Sequence, residues 1–153
     1  MTASLSLRSR NWVCFWAMLF LPGCSPSALT TDQTAALTAA EERWKRSAIR
    51  DYSFEIHPFA PLSFGHDAAQ IEVRGGVVKT VTQLGFLEPP RATIDELFAN
   101  IHNVSKSGRY AKIEATYDAK LGYPSRIVFT ANKDIRDGNS IVEITAFKDL
   151  AGQ

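Results

Sequence analysis

Glu55 and His57 stand two residues apart, and His66-Asp67 follows across a short apolar segment. On a strand that spacing puts Glu55 and His57 on one face, and a returning loop can add His66 and Asp67. Two imidazoles and one or two carboxylates would suit a divalent transition metal. A metal-binding or metal-dependent domain using His57 and His66 is therefore one functional reading. The competing reading leaves these groups facing solvent, because the spacing matches no ligand signature of fixed geometry. His102 lies beside the apolar stripe of a helical segment and reads as a boundary residue rather than a base. Asn132 to Asn139 resembles a calcium loop only superficially. Its acid and glycine are displaced by one position and Arg136 takes a ligand place, so Asp137-Gly138 reads as a hairpin turn. The chain has no Gly-x-Ser-x-Gly elbow, no phosphate-cradling glycine loop before a helix and no reactive cysteine. No catalytic residue and no cofactor is assigned.

The 153 residues are 45% apolar, 22% charged and 10% aromatic, a globular composition that predicts one domain. Seventeen Lys+Arg against sixteen Asp+Glu give +1, which supplies no excess charge for a phosphate backbone; nucleic acid is not an expected partner.

The first residues carry the clearest signal. Arg8 and Arg10 precede an apolar run from Trp12 to Leu21, the length of a signal-peptide core and half of a bilayer span. The run ends in Leu21-Pro22-Gly23-Cys24, which resembles the lipobox of bacterial lipoproteins. That resemblance implies cleavage before Cys24, a diacylglyceryl thioether on its sulfur and acylation of its amine. Pro22 departs from the small or β-branched residue usual at that place. An ordinary cleaved signal or an uncleaved anchor are the alternatives. Residues 1–23 thus read as a lipoprotein signal peptide, 24–31 as a lipidated tether and 32–150 as a single domain. Cleavage removes Arg8, Arg10 and Cys14, leaving fifteen basic against sixteen acidic residues and Cys24 as the sole cysteine, so no intrachain disulfide can form. One acyl chain holds a protein marginally; the three implied here would hold it permanently. Ser25 after the cysteine resembles an outer-membrane sorting signal, should the host be Gram-negative.

From Thr31 or Asp32, either of which can cap, alanines with Leu37, Trp44 and Ala48 predict an amphipathic helix. Trp44 reads as its core anchor, against the sharper alternative of a sugar- or headgroup-stacking residue. Tyr52, Phe54 and Ile56 alternate with polar residues as a strand, and the prolines at 58 and 61 then predict a break into an apolar loop over 58–64. Gln70–Arg74 and Val77–Leu84 flank Gly75-Gly76 as a hairpin; Val73 would face Val78, with a bulge near Lys79 or Thr80. Thr93-Ile94-Asp95-Glu96 is a capping box opening a second helix with stripe Ile94, Leu97, Phe98, Ile101 and Val104. Strands at 112–117, 126–131 and 140–147 follow. The expected fold is α+β, an antiparallel sheet with two helices on one face, in the order helix, three strands, helix, three strands.

Trp44 with Ile49 to Phe54, Ile71 to Val78, Thr93 to Phe98 and above all Tyr117-Asp118-Ala119-Lys120-Leu121-Gly122-Tyr123-Pro124 resemble the bacterial family with domain of unknown function 6174. The resemblance spans about residues 40–150. It implies a secreted or lipid-anchored context and carries no activity, substrate or catalytic residue. Many members place a close cysteine pair where this chain has His57 to Pro61. The Tyr117–Pro124 segment also has a local explanation as a hairpin clip, with Asp118 accepting from nearby amides and Gly122 at positive φ. Tyr117 and Tyr123 then pack over the hairpin, against the alternative of a binding role.

The favoured expectation is an exported, lipid-anchored cell-envelope protein whose domain is a non-catalytic accessory or binding module. Its partners would be the membrane, through the N-terminal lipid, and an envelope component. Phe59, Leu62 and Phe64 either fold back over the core or form a contact patch for that component.

Overall fold

The computed structural model describes residues 27–59, 68–84, 92–136 and 138–151. The signal segment, Cys24, Leu62, Phe64, His66, Asp67 and Asp137 lie outside the described residues. Helix α1 (Thr31–Ser47) leads into β1 (Tyr52–Phe59), β2 (Ala69–Arg74) and β3 (Val77–Gln83). Helix α2 (Ile94–Ser105) leads into β4 (Tyr110–Tyr117), β5 (Pro124–Ala131) and β6 (Ser140–Asp149). The six strands form one sheet in the order β3-β2-β1-β6-β5-β4, antiparallel at every neighbour. The fold is α+β. Among the described residues no helix is long and apolar enough to cross a membrane.

Local chemistry explains most boundaries. Gly75 and Gly76 take φ of 60° and 78°, the mirror-image conformation a tight turn with right-handed twist requires. Val73 faces Val78 and Glu72 faces Thr80, leaving Lys79 as the extra residue of a bulge. Thr93 caps α2 through its hydroxyl, and the Glu96 carboxylate reaches back to the Thr93 amide at 2.7 Å. Asp118 accepts from the amides of Lys120 and Leu121, and Gly122 closes the turn at φ 87° against the α1 backbone.

Helix α1 is capped by Thr30, whose hydroxyl accepts from Gln33, rather than by Thr31 or Asp32. The cap moves because the chain upstream is itself part of the body. Ala28 and Leu29 are buried in the core. Ala28 donates to the Ser105 carbonyl at 3.0 Å and accepts from the Ile113 amide at 2.9 Å, lying between the end of α2 and β4. The stretch expected as tether therefore includes residues that the fold holds.

The second departure is at Pro58. It does not end β1: Pro58 faces Val142 and Phe59 faces Ile141 on β6. Among the described residues, pairing with β2 stops at Ile56↔Ala69, and β6 is the strand paired with the last residues of β1. Proline is tolerated in a strand where no ladder bond needs its missing N–H. Phe59 is thus a strand residue, not part of the expected loop.

The core gathers Leu37, Ala40 and Trp44 from α1, Ile94, Leu97, Phe98 and Ile101 from α2, and the alternate residues Tyr52, Phe54, Ile56, Ile71, Val73, Ile113, Ile127 and Ile144 from the sheet. Trp44 is 3% exposed and meets Tyr52 and Phe147 edge-on at centroid distances of 5.3 and 6.0 Å, which settles it as a core residue. Tyr123 stacks on Phe147 at 4.5 Å and Tyr117 on Phe98 at 6.2 Å, so both tyrosines of the hairpin segment pack inward.

Candidate functional site

Because Phe54 and Ile56 point into the core, the intervening Glu55 and His57 stand on the opposite sheet face. Register places Thr145 and Glu143 of β6 directly beside them, and Arg126 of β5 beside Glu143. His57 Nε2 lies 2.9 Å from Thr145 Oγ1 and 3.6 Å from a Glu55 carboxylate oxygen. Arg126 Nε donates to Glu143 at 3.0 Å. One residue pair further along, Phe59 faces Ile141, which faces Val128, so a half-buried apolar row adjoins this polar one. The face thus carries cross-strand hydrogen bonds and apolar area side by side.

As metal ligands, only Glu55 and His57 of the four expected residues are described. His57 Nε2 is engaged by Thr145 Oγ1 at 2.9 Å and lies 3.6 Å from a Glu55 carboxylate oxygen. Among the described residues no three His, Cys, Asp or Glu side chains cluster closely enough to hold an ion. Of the apolar contact residues, Phe59 sits beside Ile141 as above, while Leu62 and Phe64 lie outside the described residues.

His102 does more than mark a helix boundary. Its Nε2 lies 3.1 Å from Glu41 Oε2, and Lys45 Nζ donates to the other Glu41 oxygen at 2.9 Å. Lys45, then His102, hold the Glu41 carboxyl below its ordinary range. This carboxylate ties α1 to α2. The contact joins residues 61 apart in sequence, so no local spacing could announce it.

A cleft of about 330 Å³ opens where the end of α1, the start of α2 and the β2–β3 turn meet, lined by Trp44, Lys45, Arg50, Gly76 and Asp95. Its polar groups are spent on the fold: Trp44 Nε1 donates to Asp95 at 3.3 Å, and Arg50 Nη2 to the Gly75 carbonyl at 3.2 Å. A second cleft, of about 300 Å³, lies on the Glu55 side of the sheet near the other end of β1, between Ser53, Glu72, Arg74 and Lys148. There Arg74 is engaged by Glu72 at 2.8 Å.

The architecture is that of a small α+β domain built on a six-stranded antiparallel sheet. Residues 36–149 match the model of a family of unknown function, DUF6174, and the chain belongs to that family. No curated protein and no solved structure matches the chain.

Proposed function

We propose that this is a lipid-anchored cell-envelope protein whose domain serves as a non-catalytic binding module held close to a membrane. In this reading Cys24 carries the lipid, residues 1–23 are removed, and a Gram-negative host would keep the product at the outer membrane. The observation that carries it is the burial of Ala28 and Leu29. With Ala28 bonded to Ser105 and Ile113, only residues 25–27 separate the lipidation position from the folded body. Fully extended, that span reaches about 14 Å from Cys24 to Ala28, so the body is pinned at headgroup distance. Both helices are laid on one sheet face, a layout supported by the Glu41–His102 and Trp44–Asp95 contacts between them. The other face, with Glu55, His57, Thr145 and the Phe59–Ile141–Val128 row, is then the surface open to an envelope partner.

The anchoring is tested by fractionating cells that express the natural chain and Cys24→Ser, with intact mass of each N-terminus. The natural chain should stay with membranes and carry the added mass of lipid; Cys24→Ser should lose both. An unchanged fraction and mass in Cys24→Ser would defeat the reading. The binding role is tested by in-cell crosslinking from position 141, next to Phe59. Elemental analysis of the same preparation should find no stoichiometric Zn, Cu or Fe; a metal lost on His57→Ala would instead favour a metal-dependent domain.

A further inference from the structure

The route of the chain into the fold singles out one end of the molecule. Ala28 lies beside Ile113, and the Gln33 side chain accepts from the Ala115 amide, so between these points the chain advances along β4 in the direction of Tyr117. Ala28 thus lies nearer than Gln33 to the start of β4, where Tyr110 pairs with Ala131. Two described connections lie at that end. The α2–β4 connection carries Lys106 and Arg109, and the β5–β6 connection carries Lys133 and Arg136. They are joined by the Asn132 amide donating to the Arg109 carbonyl at 3.2 Å and by the Asn132 side chain donating to the Gly108 carbonyl. Lys106 directly follows Ser105, the residue whose carbonyl holds Ala28.

Charge in these two stretches departs from that of the chain as a whole. Segments 106–112 and 132–139 hold five basic residues against two acidic ones, whereas the chain without residues 1–23 has fifteen against sixteen. Lys106, Arg109, Lys133 and Arg136 are all exposed, and the remaining cation, Lys112, is paired with Glu114 at 2.8 Å. Asp134 is the one described acid among them. Ile135 is exposed within the same connection, and Leu84, 54% exposed, closes β3 at the same end of the sheet. Basic side chains interleaved with exposed aliphatic ones are what an anionic lipid interface attracts.

We propose that the end formed by the α2–β4 and β5–β6 connections, through Lys106, Arg109, Lys133 and Arg136 with Ile135, docks on an anionic bilayer surface. The docking rests on the anchoring proposed above, which supplies a high local concentration of lipid within a few residues of this end. It fixes an orientation: β4 begins at the membrane and the β2–β3 turn points away from it.

The test uses the full chain purified from membranes, with N-terminal mass recorded first. Lipidated Cys24 has no free thiol, so a cysteine introduced as Ile135→Cys takes a single environment-sensitive fluorophore. The control is Val77→Cys, 60% exposed at the far turn. In phosphatidylglycerol-containing vesicles the label at 135 should shift to the blue and be quenched by spin-labelled lipid, while the label at 77 stays in water. Pure phosphatidylcholine, or roughly 0.5 M salt, which screens charges beyond about 4 Å, should abolish the difference. Arg109→Glu with Lys133→Glu should lower the docked population about fivefold or more for each residue reversed. Equal signals at 135 in the two lipids, or equal quenching at 135 and 77, would overturn the docking and leave the anchoring intact. An unlipidated mass would instead defeat the anchoring; co-sedimentation of that chain with anionic but not neutral vesicles would still support the docking, and none with either would overturn it.

Discussion

The Tyr52 hydroxyl accepts from the amide of Ile94 at 3.0 Å, joining the first residue of β1 to the first turn of α2 across 42 positions of sequence. That amide is one of the donors a helix start leaves without an intrahelical partner. A side chain buried in the sheet therefore completes the cap that Thr93 and Glu96 begin.

Tyr52 and Tyr117 should answer oppositely to loss of their hydroxyls. Tyr52→Phe strands the Ile94 amide and should cost about 1–2 kcal/mol. The Tyr117 hydroxyl is buried without a hydrogen-bond partner among the described residues. Tyr117→Phe should be neutral or stabilising by up to about 1 kcal/mol. Urea unfolding of both variants checks the pair, and a Tyr117→Phe protein weaker than Tyr52→Phe would contradict this account.

Alkaline pH should unfold the domain. Burial pushes Tyr52 up to about 12, with the nearby Asp95 and Glu96 carboxylates adding to the rise and the Ile94 hydrogen bond opposing it. Burial pushes Tyr117 up to about 12 as well. Both phenols hold their protons more tightly folded than unfolded, so their contribution is complete below pH 10 and is lost as pH climbs towards 12. The melting temperature should fall steeply across that window, and less steeply in Tyr117→Phe.

Gly122→Ala should be among the most damaging single substitutions. A Cβ there would come within 2.3 Å of the Ala40 carbonyl oxygen and 2.9 Å of Arg43 Cβ, and φ is 87°. The neighbours are helix backbone and a Cβ, which cannot swing aside. A loss of about 3 kcal/mol or more is expected in denaturant unfolding. Gly75→Ala meets no atom within 4 Å and keeps only the backbone strain, so it should cost about 1 kcal/mol.

Ala28→Asp should destabilise the body by about 2–3 kcal/mol, because it buries a carboxylate where Ala28 is 7% exposed. A segment serving only as tether would tolerate the change. Melting temperatures of the natural and substituted chains decide between these outcomes.

Several features are written in short-range pattern. The Val73–Val78 pairing with its bulge follows from where valines fall around Gly75-Gly76, and the Thr93 capping box from two residues three apart. The Asp118 turn needs only Asp118, Gly122 and Pro124. What escaped the sequence depends on distant neighbours. Pro58 reads as a strand breaker until β6 is known to pair with it through Val142, beyond the last described β1–β2 pair, Ile56↔Ala69. Ala28 and Leu29 look like linker because the partners of Ala28, Ser105 and Ile113, come from elements far down the chain. The candidate surface was half legible. Alternation places Glu55 and His57 together, but only the β1–β6 register brings Thr145, Glu143 and Ile141 beside them.

Strand β6, the last of the described strands, lies between β1 and β5 at the middle of the sheet. Until residues 140–149 arrive, the earlier hairpins are two ribbons with bare inner edges and nothing to zip them together. A chain still being synthesised therefore leaves the sheet open until residues 140–149 are free. Closure then takes a single long-range event, in which the late strand finds two waiting edges at once.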